Sequence, residues 1–326
     1  MDTVKFNEIK KKARVILKKT YLLLSIMIFL LMGSCEKASV STTTPSREEV
    51  VSTSTLHVVA KTETVVPTIP TLSLDAAQSK FQSLLSNNGG CKLPCFWGIS
   101  PGKSLFQETV AILEPLSSIS EFTRFENNIG SIGPDYIDGK FKIHTNVDFL
   151  TSPNTNTVSE IGFTARAFNR IDDTLIDVFD FSDFNKLFNY YMLPNILTEY
   201  GNPTTVMIST MAKLPTSGAS HGGFNILLLY PEQGMLVNYT MQMEVVDKNI
   251  MGCPSNSHME LVLFPSNQTD IFLSLLEPSG WAQIIQNTYK PLDEATSMSQ
   301  EDFYRIFSQQ TDECILTPAN LWPIPD

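Results

Sequence analysis

A short apolar run, set between a basic segment and a cysteine, most constrains what this chain can become. Tyr21–Met32 is almost wholly apolar but only about a dozen residues long. A helix that crosses a bilayer needs about 20 such residues, so the run falls short. Lys5, Lys10, Lys11, Lys12, Arg14, Lys18 and Lys19 precede it, and Gly33 and Ser34 follow. A positive region, a short apolar core and small residues, in that order, read as an export signal. A chain that folds outside the cytoplasm folds where disulfides form and persist.

Charge supports the same division. The whole chain carries −11 and the first 34 residues +5, so the remainder carries −16. An acidic body repels phosphate backbones, which excludes nucleic acid as the expected partner. It also repels anionic lipid headgroups, so membrane attachment calls for an anchor rather than a basic face.

Leu31-Met32-Gly33-Ser34-Cys35 resembles the lipobox of bacterial lipoproteins. The resemblance implies cleavage before Cys35 and a diacylglycerol on its sulfur. Two acyl chains hold a protein to a membrane where one does not. The family usually has Leu where Met32 stands, and the basic segment here is long. An uncleaved anchor and simple secretion are the other two readings. The implied location is the outer face of the cytoplasmic membrane or another envelope membrane.

Residues 1–34 then form the signal peptide and 35–73 a lipidated start and a tether. The tether is rich in Ser and Thr, with Pro45, Pro67 and Pro70. It has too little apolar surface to offset the entropy of ordering. The expected exported domain is 74–326, open to division into related units 74–180 and 181–326.

Within that domain, Ala77, Phe81, Leu84 and Leu85 fall on one helical face, and Asn88-Gly89-Gly90 ends the helix. A second helix is expected after Ser104, which has capping-box spacing to Gln107, with Phe106, Val110 and Leu113 buried. Phe141–Phe149 and Val158–Phe163 alternate apolar and polar with period two, as half-buried strands do. Two short helices are expected near 184–190 and 194–200, with strands at 204–209, 224–230 and 258–264. Pro231-Glu232-Gln233-Gly234 reads as a turn into a strand at 235–243. A last helix is expected from about Ser299. Helices interspersed with runs of antiparallel strands give an α+β fold.

The most distinctive stretch is Cys91-Lys92-Leu93-Pro94-Cys95-Phe96-Trp97-Gly98-Ile99-Ser100-Pro101-Gly102. It resembles a group of bacterial lipoproteins that share Cys-x-Leu-Pro-Cys-aromatic-Trp-Gly-Ile-x-Pro-Gly near the start of the mature domain. That resemblance implies no particular activity. More weakly, Pro101-Gly102-Lys103-Ser104 and Leu197–Pro203 resemble the helix-and-sheet unit of outer-membrane assembly lipoproteins of the SmpA/BamE kind. Tandem copies of a similar unit make the β-lactamase inhibitor proteins. Each half carries only part of the pattern.

Apart from Cys35, four cysteines remain: Cys91, Cys95, Cys253 and Cys314. An even number in an exported protein argues for two disulfides, and Cys91–Cys95 with Cys253–Cys314 is the preferred pairing. Redox or metal chemistry at Cys91 and Cys95 is the alternative. Against it, three residues separate them instead of two, and no histidine lies close in sequence. His57, His144, His221 and His258 are scattered, without HExxH spacing. Nucleophile-elbow, phosphate-loop and dinucleotide motifs are missing, as are the spaced ligands of a calcium loop at Asp172-Asp173. No metal or cofactor is expected. Trp97 is a candidate binding residue, against the plainer reading of a core tryptophan beside a disulfide.

The preferred function is an envelope binding or interaction module, for a protein or a small ligand. A hydrolase of envelope polymers using carboxylates is the alternative. A two-lobed solute-binding subunit is disfavoured, because alternating βαβ units do not appear.

Overall fold

Strand alternation organises the domain. The computed structural model describes residues 71–120, 122–125, 129–138, 141–152, 154–171, 174–177, 182–211, 223–266 and 288–322. The fold is α+β. Helices α1 (Leu74–Asn87) and α2 (Phe106–Leu113) lead into β1 (Phe122–Phe125), β2 (Ile129–Ile132), β3 (Asp135–Asp138), β4 (Phe141–Thr151), β5 (Val158–Ile171) and β6 (Thr174–Asp177). Helices α3 (Ser182–Leu187) and α4 (Leu193–Tyr200) lead into β7 (Thr205–Met211), β8 (Gly223–Tyr230), β9 (Met235–Val246) and β10 (Asn249–Leu263). The chain closes with β11 (Lys290–Pro291), α5 (Leu292–Ala295), α6 (Gln300–Phe307) and β12 (Ile315–Pro318).

All described strands join one antiparallel sheet of twelve, in the order β1-β2-β4-β5-β10-β9-β8-β7-β11. Strands β3, β6 and β12 pair with β4, β5 and β10 respectively. The two helix-then-strand halves meet where β5 pairs with β10, from Ala165 opposite Met259 to Ile161 opposite Leu263.

Directly opposed residues share a face. Val147, Phe163, Leu261, Val237, Leu228 and Val206 therefore form one row across six strands, and all are buried. Burying such a side chain stabilises by about 1.5–3 kcal/mol before entropy is counted. The helices cover this face. Phe81, Leu84 and Leu85 of α1, Ile196 and Leu197 of α4, and Phe303 and Phe307 of α6 join the same core. On the opposite face the next row reads Asn146, Thr164, Glu260, Asn238, Leu227 and Met207.

Three local expectations shift. Helix α2 is capped one residue later than Ser104: the Glu108 carboxylate accepts from the N–H of Leu105, and Ser104 Oγ accepts from the N–H of Ser100. Phe106 is half-buried, and Thr109 joins Val110 and Leu113 on the buried stripe. Strand β10 begins nine residues before His258 and passes through a bulge between Gly252 and Ser257. The expected turn at 231–234 is present, with Gly234 at φ +67; a Cβ there would lie 2.2 Å from the Phe264 carbonyl oxygen.

Candidate functional site

The two disulfides are present as Cys91–Cys95 and Cys253–Cys314, and they do different work. The first closes the loop that follows α1. Asn88, fully buried, is the hub of that loop. Its Nδ2 donates to the carbonyls of Cys91 and Cys95, each at 2.8 Å. Its Oδ1 accepts from Trp97 N–H at 3.0 Å and from Tyr191 Oη at 3.1 Å. Tyr190 Oη donates to the Cys91 carbonyl, and Leu93 N–H donates to Tyr200 Oη. Lys92 and Glu199 pair at the surface, and that carboxylate pushes the Lys92 ammonium up from its ordinary pKa.

Trp97 belongs to this core and is only 2% exposed. Its ring stacks on Phe96 and meets Phe81 and Phe163 edge-on. Its indole N–H donates to Tyr191 Oη at 3.2 Å. No face of the ring is open for a ligand to stack on. Burial pushes the Tyr191 hydroxyl far above its ordinary pKa, so it stays neutral and available for hydrogen bonding.

The second disulfide stands beside a cleft of about 450 Å³. Pro254 and Ser255, in the β10 bulge, form one wall, and Gln309, Gln310, Thr311 and Asp312, just before Cys314, form another. Helix α3 contributes Ser182, Asn185 and Lys186. Asn189 and the start of α4, from Met192 to Asn195, complete it, with Phe307 behind. The bulge matters here. Where β10 leaves register with β9, its backbone is freed from that ladder and turns toward α3. The Ser255 carbonyl accepts from Asn185 Nδ2 at 2.7 Å. Asn185 Oδ1, on the same amide, is buried and has no partner among the described residues. The Asn195 amide donates to the Asn189 carbonyl, joining two of the lining residues.

Sequence reasoning missed this cleft. Its walls come from three segments more than 50 residues apart, and no local spacing marks them. The two cysteines that tie two of those walls together were the nearest signal.

The opposite face of the sheet holds a second polar group. Tyr289 Oη donates to Asn238 Oδ1, Asn238 Nδ2 reaches Thr240 Oγ1, and Thr240 donates to Asn225 Oδ1 at 2.7 Å. Ser209 Oγ and Asn225 Nδ2, opposed across β7 and β8, lack partners among the described residues. Glu260 lies beside Asn238. Burial pushes its carboxyl up, against the pull of Arg166 and the Asn238 amide. Glu160 is pushed up by burial as well. Glu260 stands opposite Thr164, four residues along β5 from Glu160. At strand spacings their backbones are therefore about 14 Å apart.

His144 and His258 are strand residues, as expected. His144 Nδ1 lies 2.8 Å from Asp135, and His258 Nδ1 accepts from Ala167 N–H. Among the described residues no three His, Cys, Asp or Glu side chains come together as a metal site. No described helix is long and apolar enough to cross a membrane. Cys35, the signal segment, the tether as far as Pro70, His57, Asp172-Asp173 and His221 lie outside the described residues. No protein-family model, no curated protein and no solved structure matches this chain.

Proposed function

We propose that this is a lipid-anchored protein of the cell envelope whose domain binds a ligand in the cleft beside Cys253–Cys314. The anchor is Cys35, reached through the basic segment, the short apolar run and the lipobox-like Leu31–Cys35. Two disulfides suit a compartment where thiols oxidise. The observation that carries the binding reading is the cleft itself, about 450 Å³, walled by helix ends, the 309–312 loop and the β10 bulge.

The cleft favours binding over hydrolysis. Asp312 is the one carboxylate among its lining residues, where glycoside hydrolysis uses a pair about 5–10 Å apart. Glu160 and Glu260, both on the opposite sheet face, are set too far apart to act together.

Two measurements test the proposal. The mass of the membrane-extracted protein should correspond to a chain starting at Cys35 plus diacylglycerol, and Cys35→Ala should move the protein to the soluble fraction. An unprocessed chain overturns the anchor. For the domain, Asn185→Leu should abolish ligand-induced thermal stabilisation; unchanged stabilisation moves the site elsewhere.

A further inference from the structure

We infer that the cleft binds a short neutral saccharide. This rests on the proposed binding role of the cleft and names its ligand class.

Charge narrows the choice first. The cleft carries one cation, Lys186, and one anion, Asp312, and Lys186 Nζ is already 3.1 Å from the Asp183 carboxylate. A phosphate, a polyanion or a polycation would find no matching excess of charge. The wall is instead made of carboxamides: Asn185, Asn189, Asn195, Gln309 and Gln310. A carboxamide offers donors and an acceptor side by side. A sugar hydroxyl is donor and acceptor at once, and neighbouring hydroxyls match neighbouring amide atoms.

Asn185 ties this wall to the bulge. One of its two amide N–H groups donates to the Ser255 carbonyl, which holds this carboxamide against the β10 bulge. The half-buried Pro194 adds C–H surface beside the polar groups, which suits the C–H face of a sugar ring. The volume, about 450 Å³, falls within the ~300–1,000 Å³ usual for small-molecule sites. Two common modes of peptide recognition are pairing to a free strand edge and laying an apolar helix face into a groove. This cleft is walled by helix ends, a loop and a strand bulge, and provides neither.

The test uses the full lipidated chain in a detergent without a sugar headgroup. Titration calorimetry would compare maltotriose, cellotriose and chitotriose with an alanine tripeptide capped at both ends and with inorganic phosphate. At least one trisaccharide should bind, and phosphate should not. Asn185→Leu should weaken that binding at least tenfold. The exposed pair Gln309→Ala/Gln310→Ala should weaken it severalfold without changing the melting temperature, which guards against a folding defect at Asn185. Saccharide binding that both variants leave unchanged overturns the inference. Binding of the tripeptide alone overturns the saccharide class but leaves the binding role standing. Binding of no probe overturns both.

Discussion

The indole N–H of Trp97 donates to the hydroxyl of Tyr191, 94 residues further along the chain. Through that bond the loop after α1 is locked to the turn between α3 and α4. The same hydroxyl donates to Asn88, so one tyrosine oxygen serves both partners.

Tyr191→Phe leaves the ring packing in place and removes that oxygen. Trp97 Nε1 then loses its acceptor in a buried site. A loss of about 1–3 kcal/mol is expected, read from urea unfolding at unchanged m. Asn88→Ala should cost more, because the Cys91 and Cys95 carbonyls and the Trp97 N–H all lose a partner. An Asn88→Ala loss smaller than that of Tyr191→Phe would contradict the hub role given to Asn88.

Gly252→Ala should destabilise by about 1–3 kcal/mol, since extra volume in a packed core forces side chains off their preferred rotamers. A Cβ at this position would sit 2.3 Å from the ring of the buried Phe224. Phe224→Leu in the same chain should recover part of the loss, and a double-mutant cycle would show the coupling. Strict additivity would refute the contact.

The two disulfides should differ in worth. In the chain-entropy picture, a loop of sequence separation 61 contributes about 4 kcal/mol and one of separation 4 about 2 kcal/mol. Cys253→Ser/Cys314→Ser should therefore lower stability more than Cys91→Ser/Cys95→Ser. It should also raise amide exchange at 309–314 on the cleft wall. Equal losses would indicate that native packing, not loop closure, sets their value.

Glu260 makes stability fall as pH rises. Its pKa in the folded protein lies above the ordinary 4.5, so the native state holds the proton where the unfolded chain has released it. Stability from this group is complete below 4.5 and is lost as pH climbs through the raised value. Glu160 works in the same direction. Glu260→Gln should flatten the decline and be relatively more stable at neutral pH. A steeper decline in the variant would reverse the assigned sign.

Where periodicity is strong, the fold was legible. The stripe Ala77, Phe81, Leu84 and Leu85 marks α1, and alternation marks β4 and β5. Strands β1, β2, β3 and β12 were not legible. Each is only four residues long, and each owes its strand geometry to a neighbour: β1 to β2, β2 and β3 to β4, β12 to β10. The first half of β10 was hidden because Gly252, Cys253 and Pro254 read as a break, where the protein builds a bulge. The cleft was hidden for a related reason. Asn185 looks like any polar helix residue until the bulge carbonyl accepts one of its N–H groups and brings the two walls together.

The seam between β5 and β10 dictates a timetable. A chain that emerges from its N-terminus into the compartment where it folds brings β5 about 90 residues before its partner, so one edge of the growing sheet stays open while β7, β8 and β9 follow. An open edge is a template for pairing with other chains. Only when β10 arrives does it bind β5 on one side and β9 on the other, closing both halves in a single step. The newborn chain is thus most exposed to self-association in the interval between those two strands, and β10 ends that interval.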